Sequence, residues 1–113
     1  MQLQIRGKGT ELTDQVRAHI ERRLRFALSR FGERVARATV RIAGVADSPG
    51  CNGDPNCRIE VALRPTGIVI VDETRGDVLT AIERAAERAG RSVSREIERS
   101  LESNAARPHR SKP

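Results

Sequence analysis

Apolar positions recur along this chain at two different periods, and the places where the period changes outline its elements. QLQIR, residues 2–6, alternates polar and apolar, which predicts a short strand with Leu3 and Ile5 inward. Gly7 and Gly9 interrupt it. Thr13 then reads as a helix cap, with Asp14 in the first turn where a carboxylate suits the positive helix end. Val16, Ile20, Leu24, Ala27, Leu28, Phe31 and Val35 follow at helical spacing, so the first helix is expected to run to about Phe31, with Gly32 near its end.

Alternation returns in ATVRIAGV, 38–45, with Val40 and Ile42 inward and Thr39 and Arg41 outward. The turn-rich stretch ADSPGCNGDPN, 46–56, reads as a loop. CRIEVALR, 57–64, is a third strand with Ile59, Val61 and Leu63 on one face, and IVIV, 68–71, is a fourth, reached through Pro65, Thr66 and Gly67. DETRG turns the chain into a second long helix from about Asp77 to Ser100. The folded domain is therefore taken as 1–102 and the polar, basic stretch 103–113 as a disordered tail. The order β-α-β-β-β-α predicts an α+β fold. Its three consecutive strands are expected to be antiparallel neighbours, in a four-stranded sheet with two amphipathic helices packed on one face.

Charge changes the picture most in the second helix. Arg84, Arg88, Arg91, Arg95 and Arg99 are spaced four, three, four and four apart, and at 100° per residue they share an arc of roughly 80°. Ile82, Ala86, Ala89, Val93 and Ile97 fall on the opposite side. Glu83, Glu87 and Glu96 flank the arginines, while Glu98 and Glu102 fall near them. A solvated face would show the same amphipathic division. On the first helix His19, Arg23 and Arg30 lie beside the apolar stripe. With both helices on one side of the sheet, the two basic lines are expected to form one continuous patch of guanidinium groups on rigid elements.

Composition then bounds the function. The chain has 113 residues, one modest core's worth, with only Phe26 and Phe31 as aromatics, so an aliphatic core is expected. The net charge of +6 favours a polyanionic partner, nucleic acid above all. No apolar run is long enough to span a membrane, and MQLQIRGKG is too polar for a secretory leader, so the cytoplasm is the expected location.

Catalytic and metal chemistry find little support. Cys51 and Cys57 form a C-x5-C pair with Asp54 between them, but two further ligands at suitable spacing are lacking, and Cys57 reads as a buried strand residue. His19 has no nucleophile or paired carboxylate near it in sequence, and Asp72 and Glu73 are adjacent carboxylates at a strand end, where neighbours point to opposite faces. GKG at 7–9 lacks the surroundings of a phosphate loop. Neither an enzyme, a cofactor nor a small-molecule substrate is expected.

Three stretches resemble a known family: MQLQIRGKGTELTDQVRAHIERRL, CRIEVALRPTG and IVIVDETRGDVLTAIERAAERAGRSVSRE. The chain resembles, over residues 1–102, the ribosome hibernation-promoting factor and ribosome-associated inhibitor family, also called sigma-54 modulation proteins. That resemblance implies the fold just derived. It also implies binding to the small ribosomal subunit and its rRNA, in the channel used by messenger and transfer RNA, with translation blocked during stress. The RNA contacts it implies fall on Arg88, Arg91, Arg95 and Arg99 of the second helix and on Arg23 and Arg30 of the first. Arg84 joins them by its place on the same face.

Some features depart from the family pattern. Leu79 stands where many members carry a tyrosine, the cysteine loop is unusual, the tail is basic, and no C-terminal dimerisation domain is visible. A short form is therefore expected. Two other classes remain open on the residues alone: a protein-interaction regulatory module of the sigma-54 modulation type, and a generic structured-RNA binder.

Overall fold

The computed structural model describes residues 1–7, 13–43 and 55–106. Strand β1 (Gln2–Gly7) leads to helix α1 (Asp14–Leu28), a 3-10 segment (Ser29–Arg34) and strand β2 (Val35–Ala43). Strands β3 (Asn56–Leu63) and β4 (Ile68–Thr74) follow, and helix α2 (Val78–Ala106) closes the order. The four strands form one sheet in sequential order, with β1 parallel to β2 and the pairs β2–β3 and β3–β4 antiparallel. The parallel pair needs a crossover, and α1 supplies it.

Alternation explains which face of the sheet is covered. Ala38, Val40 and Ile42 of β2, Cys57, Ile59, Val61 and Leu63 of β3, and Val69 and Val71 of β4 are buried. Val16, Ile20, Leu24 and Leu28 of α1 and Ala81, Ile82, Ala85, Ala86, Ala89 and Val93 of α2 join them in one core. The core is aliphatic, as the composition predicts. Phe31 packs partly against it, whereas Phe26 is 80% exposed. Both helices thus cover one face of the sheet, and no element among the described residues covers the other.

Local chemistry sets the helix starts. The Thr13 hydroxyl accepts from the Val16 N–H at 3.1 Å, satisfying one of the free donors of α1. Asp77 does the same for α2, accepting from the Thr80 N–H and the Thr80 hydroxyl, each at 3.0 Å.

Four boundaries differ from the sequence reading. α1 ends at Leu28, and Phe31 lies in the 3-10 segment, which Gly32 breaks at φ 57° and ψ −129°. L-residues with a Cβ avoid that backbone region, so the glycine lets the chain leave the helix and enter the sheet. Val35, placed by its spacing on the helical stripe, is instead the fully buried first residue of β2. β4 continues through Asp72, Glu73 and Thr74, which the sequence read as part of a turn. α2 runs past Ser100 to Ala106, so residues 103–106 are helical where a disordered tail was expected. The rest of that tail, the cysteine loop around Cys51 and most of GKG lie outside the described residues.

Candidate nucleic-acid interface

α2 lies across the sheet with one flank against α1 and the other against β4. Its arginine arc faces solvent: Arg84, Arg88, Arg91, Arg95 and Arg99 are all exposed. The helix is thus turned about its own axis as its apolar period requires. The surroundings of the five guanidinium groups nevertheless differ.

Arg88 is turned onto the sheet. Its Nη1 donates to Glu73 Oε2 at 2.5 Å and to the Asp72 carbonyl at 3.0 Å. Glu73 is the one charged side chain buried among the described residues. Its other oxygen, Oε1, accepts from Arg75 Nε at 3.0 Å and lies 2.9 Å from Arg75 Nη2. The Arg88 hydrogen bond holds the Glu73 carboxyl below the usual carboxylate range, against the opposing effect of burial and with help from Arg75. Arg88 and Glu73 thus fasten the middle of α2 to β4.

Arg91 borders a groove of about 360 Å³ between the helices. Arg23, Phe26 and Arg30 line the α1 side, and Glu83 and Glu87 join Arg91 on the α2 side. The helices approach closely because Gly90 faces Ala27. A Cβ at position 90 would sit 3.2 Å from the Ala27 carbonyl oxygen. Arg23 is already paired, with Nη2 3.3 Å from Glu83 Oε2. His19 Nε2 lies 3.5 Å from the same carboxylate oxygen, but without hydrogen-bond geometry. Arg30 places its guanidinium carbon over the Phe31 ring, 4.7 Å from the centroid, a cation–π contact that positions the fork.

Arg95 and Arg99 line a second groove, of about 470 Å³, between α2 and the β4 edge, with Val69, Ile70, Glu96 and Glu98. Arg99 pairs with Glu96 one turn back. Arg84 borders neither groove. Among the described residues Arg30, Arg84, Arg91 and Arg95 make no ion pair.

The single continuous patch expected from the sequence is therefore divided. Arg23, Arg30 and Arg91 come together, Arg95 and Arg99 lie further along, and Glu83 and Glu87 stand between the two helical basic lines. Two features escaped the sequence reading. Phe26 lies off the α1 stripe Val16–Ile20–Leu24–Leu28, which is the signal that it is exposed. The Arg88–Glu73 contact joins residues fifteen apart across a loop and carries no local signature. Such a surface can neutralise phosphates and offer one aromatic face. Among the described residues no group of three or more His, Cys, Asp or Glu side chains is placed to hold a metal ion. Cys57 is buried, and burial, with the nearby Asp72 and Glu73 charges, pushes its thiol up to about 12. Among the described residues no helix is long and apolar enough to cross a membrane.

Comparison with known proteins agrees with this architecture. The family described as "Sigma 54 modulation protein / S30EA ribosomal protein" matches residues 3–100. The crystal structure of the Protein Y N-terminal domain from Thermus thermophilus is similar at a TM-score of 0.69 and 27% identity, over 84% of this chain and 98% of that one. A ribosomal subunit interface protein from Coxiella burnetii shares the fold at a TM-score of 0.72 and 13% identity, over 87% and 99% of the two chains. No curated protein matches the chain.

Proposed function

The chain belongs to the sigma 54 modulation protein / S30EA ribosomal protein family, and from that premise we propose that it is a ribosome-associated hibernation factor that inhibits translation by occupying rRNA of the small subunit. The observation that carries this reading is the meeting of Arg23, Arg30 and Arg91 with the exposed Phe26 at the interhelical groove. Arg84, Arg95 and Arg99 extend the basic surface along α2. The name of the Coxiella relative, a ribosomal subunit interface protein, points the same way. Action is in the cytoplasm, where ribosomes are.

Inhibition on this reading is steric. The domain fills space that messenger and transfer RNA need, and no bond is made or broken. Arginine forks bind phosphate oxygens in pairs, and rigid helices hold them without much loss of freedom on binding. Folded rRNA offers irregular backbone rather than an open groove, so recognition rests on shape and phosphate position. Each phosphate neutralised releases counterions, giving a salt slope of about −0.7 to −0.9 per contact.

Co-sedimentation with purified small subunits over a potassium chloride series tests this. The natural chain should travel with the subunits at low salt and leave them steeply as salt rises. R84E/R91E/R95E, which spares the Arg88–Glu73 contact, should stay at the top of the gradient while keeping its circular dichroism spectrum. Equal binding by the two proteins would refute the helix surface as the interface. If neither binds at low salt, the ribosomal reading fails.

A further inference from the structure

The sheet face opposite both helices carries a second basic array that the helix surface does not explain. In β1 and β2, Arg6 is the register partner of Arg41; in β2 and β3, Arg41 is the partner of Arg58. Register partners point to the same side of a sheet, and here that side is the one opposite both helices. Alternation sets this. Ile5 packs against the core and sends Arg6 outward, just as the buried Val40 and Ile42 send Arg41 outward between them. Arg58 stands in the same way between the buried Cys57 and Ile59.

All three arginines are exposed. Strands lie about 4.8 Å apart, so the three stems leave the sheet within a span of about 10 Å. With Asn56, and with Gly7 and Ala43 at the side, they border a shallow concavity of about 400 Å³.

The acid in register with this row is already engaged, and Glu60, two residues along β3 from Arg58, stands on the same face beside the row. Asp72, the β4 partner of Arg58, lies 3.5 Å from Arg58 Nη1 through Oδ2 and accepts from Asn56 Nδ2 at 2.7 Å through Oδ1. Arg6 and Arg41 make no ion pair among the described residues. Like charges set directly opposite each other on neighbouring strands are destabilising. The free protein therefore holds two unfavourable neighbours in register, Arg6–Arg41 and Arg41–Arg58, with Asp72 at the far end of the row and Glu60 diagonal to Arg41 without an ion pair among the described residues. A polyanion laid across the strands removes that repulsion and is what the row complements.

We propose that Arg6, Arg41 and Arg58 form a second phosphate-binding surface, which takes the backbone of an RNA segment distinct from the one at the helices. Among the described residues the row is linear and borders only a shallow concavity, which suits successive phosphates of a chain. The sheet separates it from the helix arginines, so one phosphate cannot reach both surfaces. A chain with both surfaces occupied is held between two RNA segments.

The test uses the full chain, a short fluorescent single-stranded RNA, anisotropy and a potassium chloride series. R6Q/R41Q removes the two arginines that hold no ion pair. Its melting temperature should stay level or rise, since repulsion is relieved. Its affinity at low salt should fall on the order of tenfold, and its salt slope should become shallower by about 1.4, two contacts at about 0.7 each. R17Q/R22Q removes two exposed α1 arginines as a control for net charge and should change the slope far less. An equal change in that control, or no change in R6Q/R41Q, overturns the proposal. Inorganic tripolyphosphate as competitor separates the sources: if R6Q/R41Q loses tripolyphosphate binding but keeps RNA binding, the row is a small-anion site and the RNA proposal falls. R91Q/R95Q keeps the two surfaces distinguishable. Loss of RNA in that variant alone supports the helix interface and overturns this one, and loss in R6Q/R41Q alone does the reverse.

Discussion

Replacing Arg88 by alanine separates what this arginine does for the fold from what its neighbours do for binding. Its Nη1 holds the buried Glu73 carboxylate at 2.5 Å and the Asp72 carbonyl at 3.0 Å. A hydrogen bond to a charged group contributes about 1.5–3 kcal/mol net. The Arg88 side chain is 47% exposed, so screening by water lowers its share, and Arg75 remains on Oε1 to hold part of the charge. The expected loss is about 2 kcal/mol, or on the order of 10 °C in melting temperature for a domain of this size. Arg91→Ala removes an exposed arginine with no ion pair among the described residues and should cost under about 0.5 kcal/mol.

Calorimetry at pH 7 measures the difference, and repeating it towards pH 3 adds a second check. The folded state holds Glu73 below its usual range, so the contact stabilises above the unfolded glutamate value, about 4.3, and that stability is lost as pH falls through the lower folded value. The gap between the natural chain and Arg88→Ala should therefore narrow in acid. Equal melting temperatures for Arg88→Ala and Arg91→Ala at pH 7 would refute the fastening role.

Phe26→Ala should leave stability within about 0.5 kcal/mol, because the ring is exposed, yet weaken RNA binding by about 1–3 kcal/mol if a base stacks on it; anisotropy and calorimetry on one preparation decide this. Gly90→Val should destabilise by about 1–3 kcal/mol, since added side-chain atoms meet the Ala27 backbone, and denaturant melts would read it. Cys57 should resist iodoacetamide at pH 8 in the native chain and react once the chain is unfolded, as mass spectrometry of the alkylated protein would show.

Much of the fold was legible because each element repeats its period several times. Val16, Ile20, Leu24 and Leu28 mark one face of α1, and Ile59, Val61 and Leu63 one face of β3, whatever they pack against. Thr13 announces a helix start because its cap bond spans three residues. Boundaries were harder. Val35 continues the helical spacing of α1, yet Gly32 redirects the chain before that residue is reached, and only the sheet has room for it. Glu73 looks like a turn residue because a buried acid in a strand makes sense only with Arg75 and Arg88 beside it, while Asp72 on the opposite face stays exposed.

The arginine spacing by itself determined that α2 would show one basic face, since helical geometry is local and needs no partner. Which guanidinium groups stay open to a ligand was decided by contacts between elements. Arg88 is drawn to Glu73 of β4 and Arg23 of α1 to Glu83 of α2, while Arg91 and Arg95 are left without an ion pair among the described residues. The row of Arg6, Arg41 and Arg58 lies further still from the linear pattern: three isolated arginines, each ordinary in its own strand, become neighbours only through strand register. Periodicity orients a side chain on its own element, and pairing between distant segments decides what stands next to it.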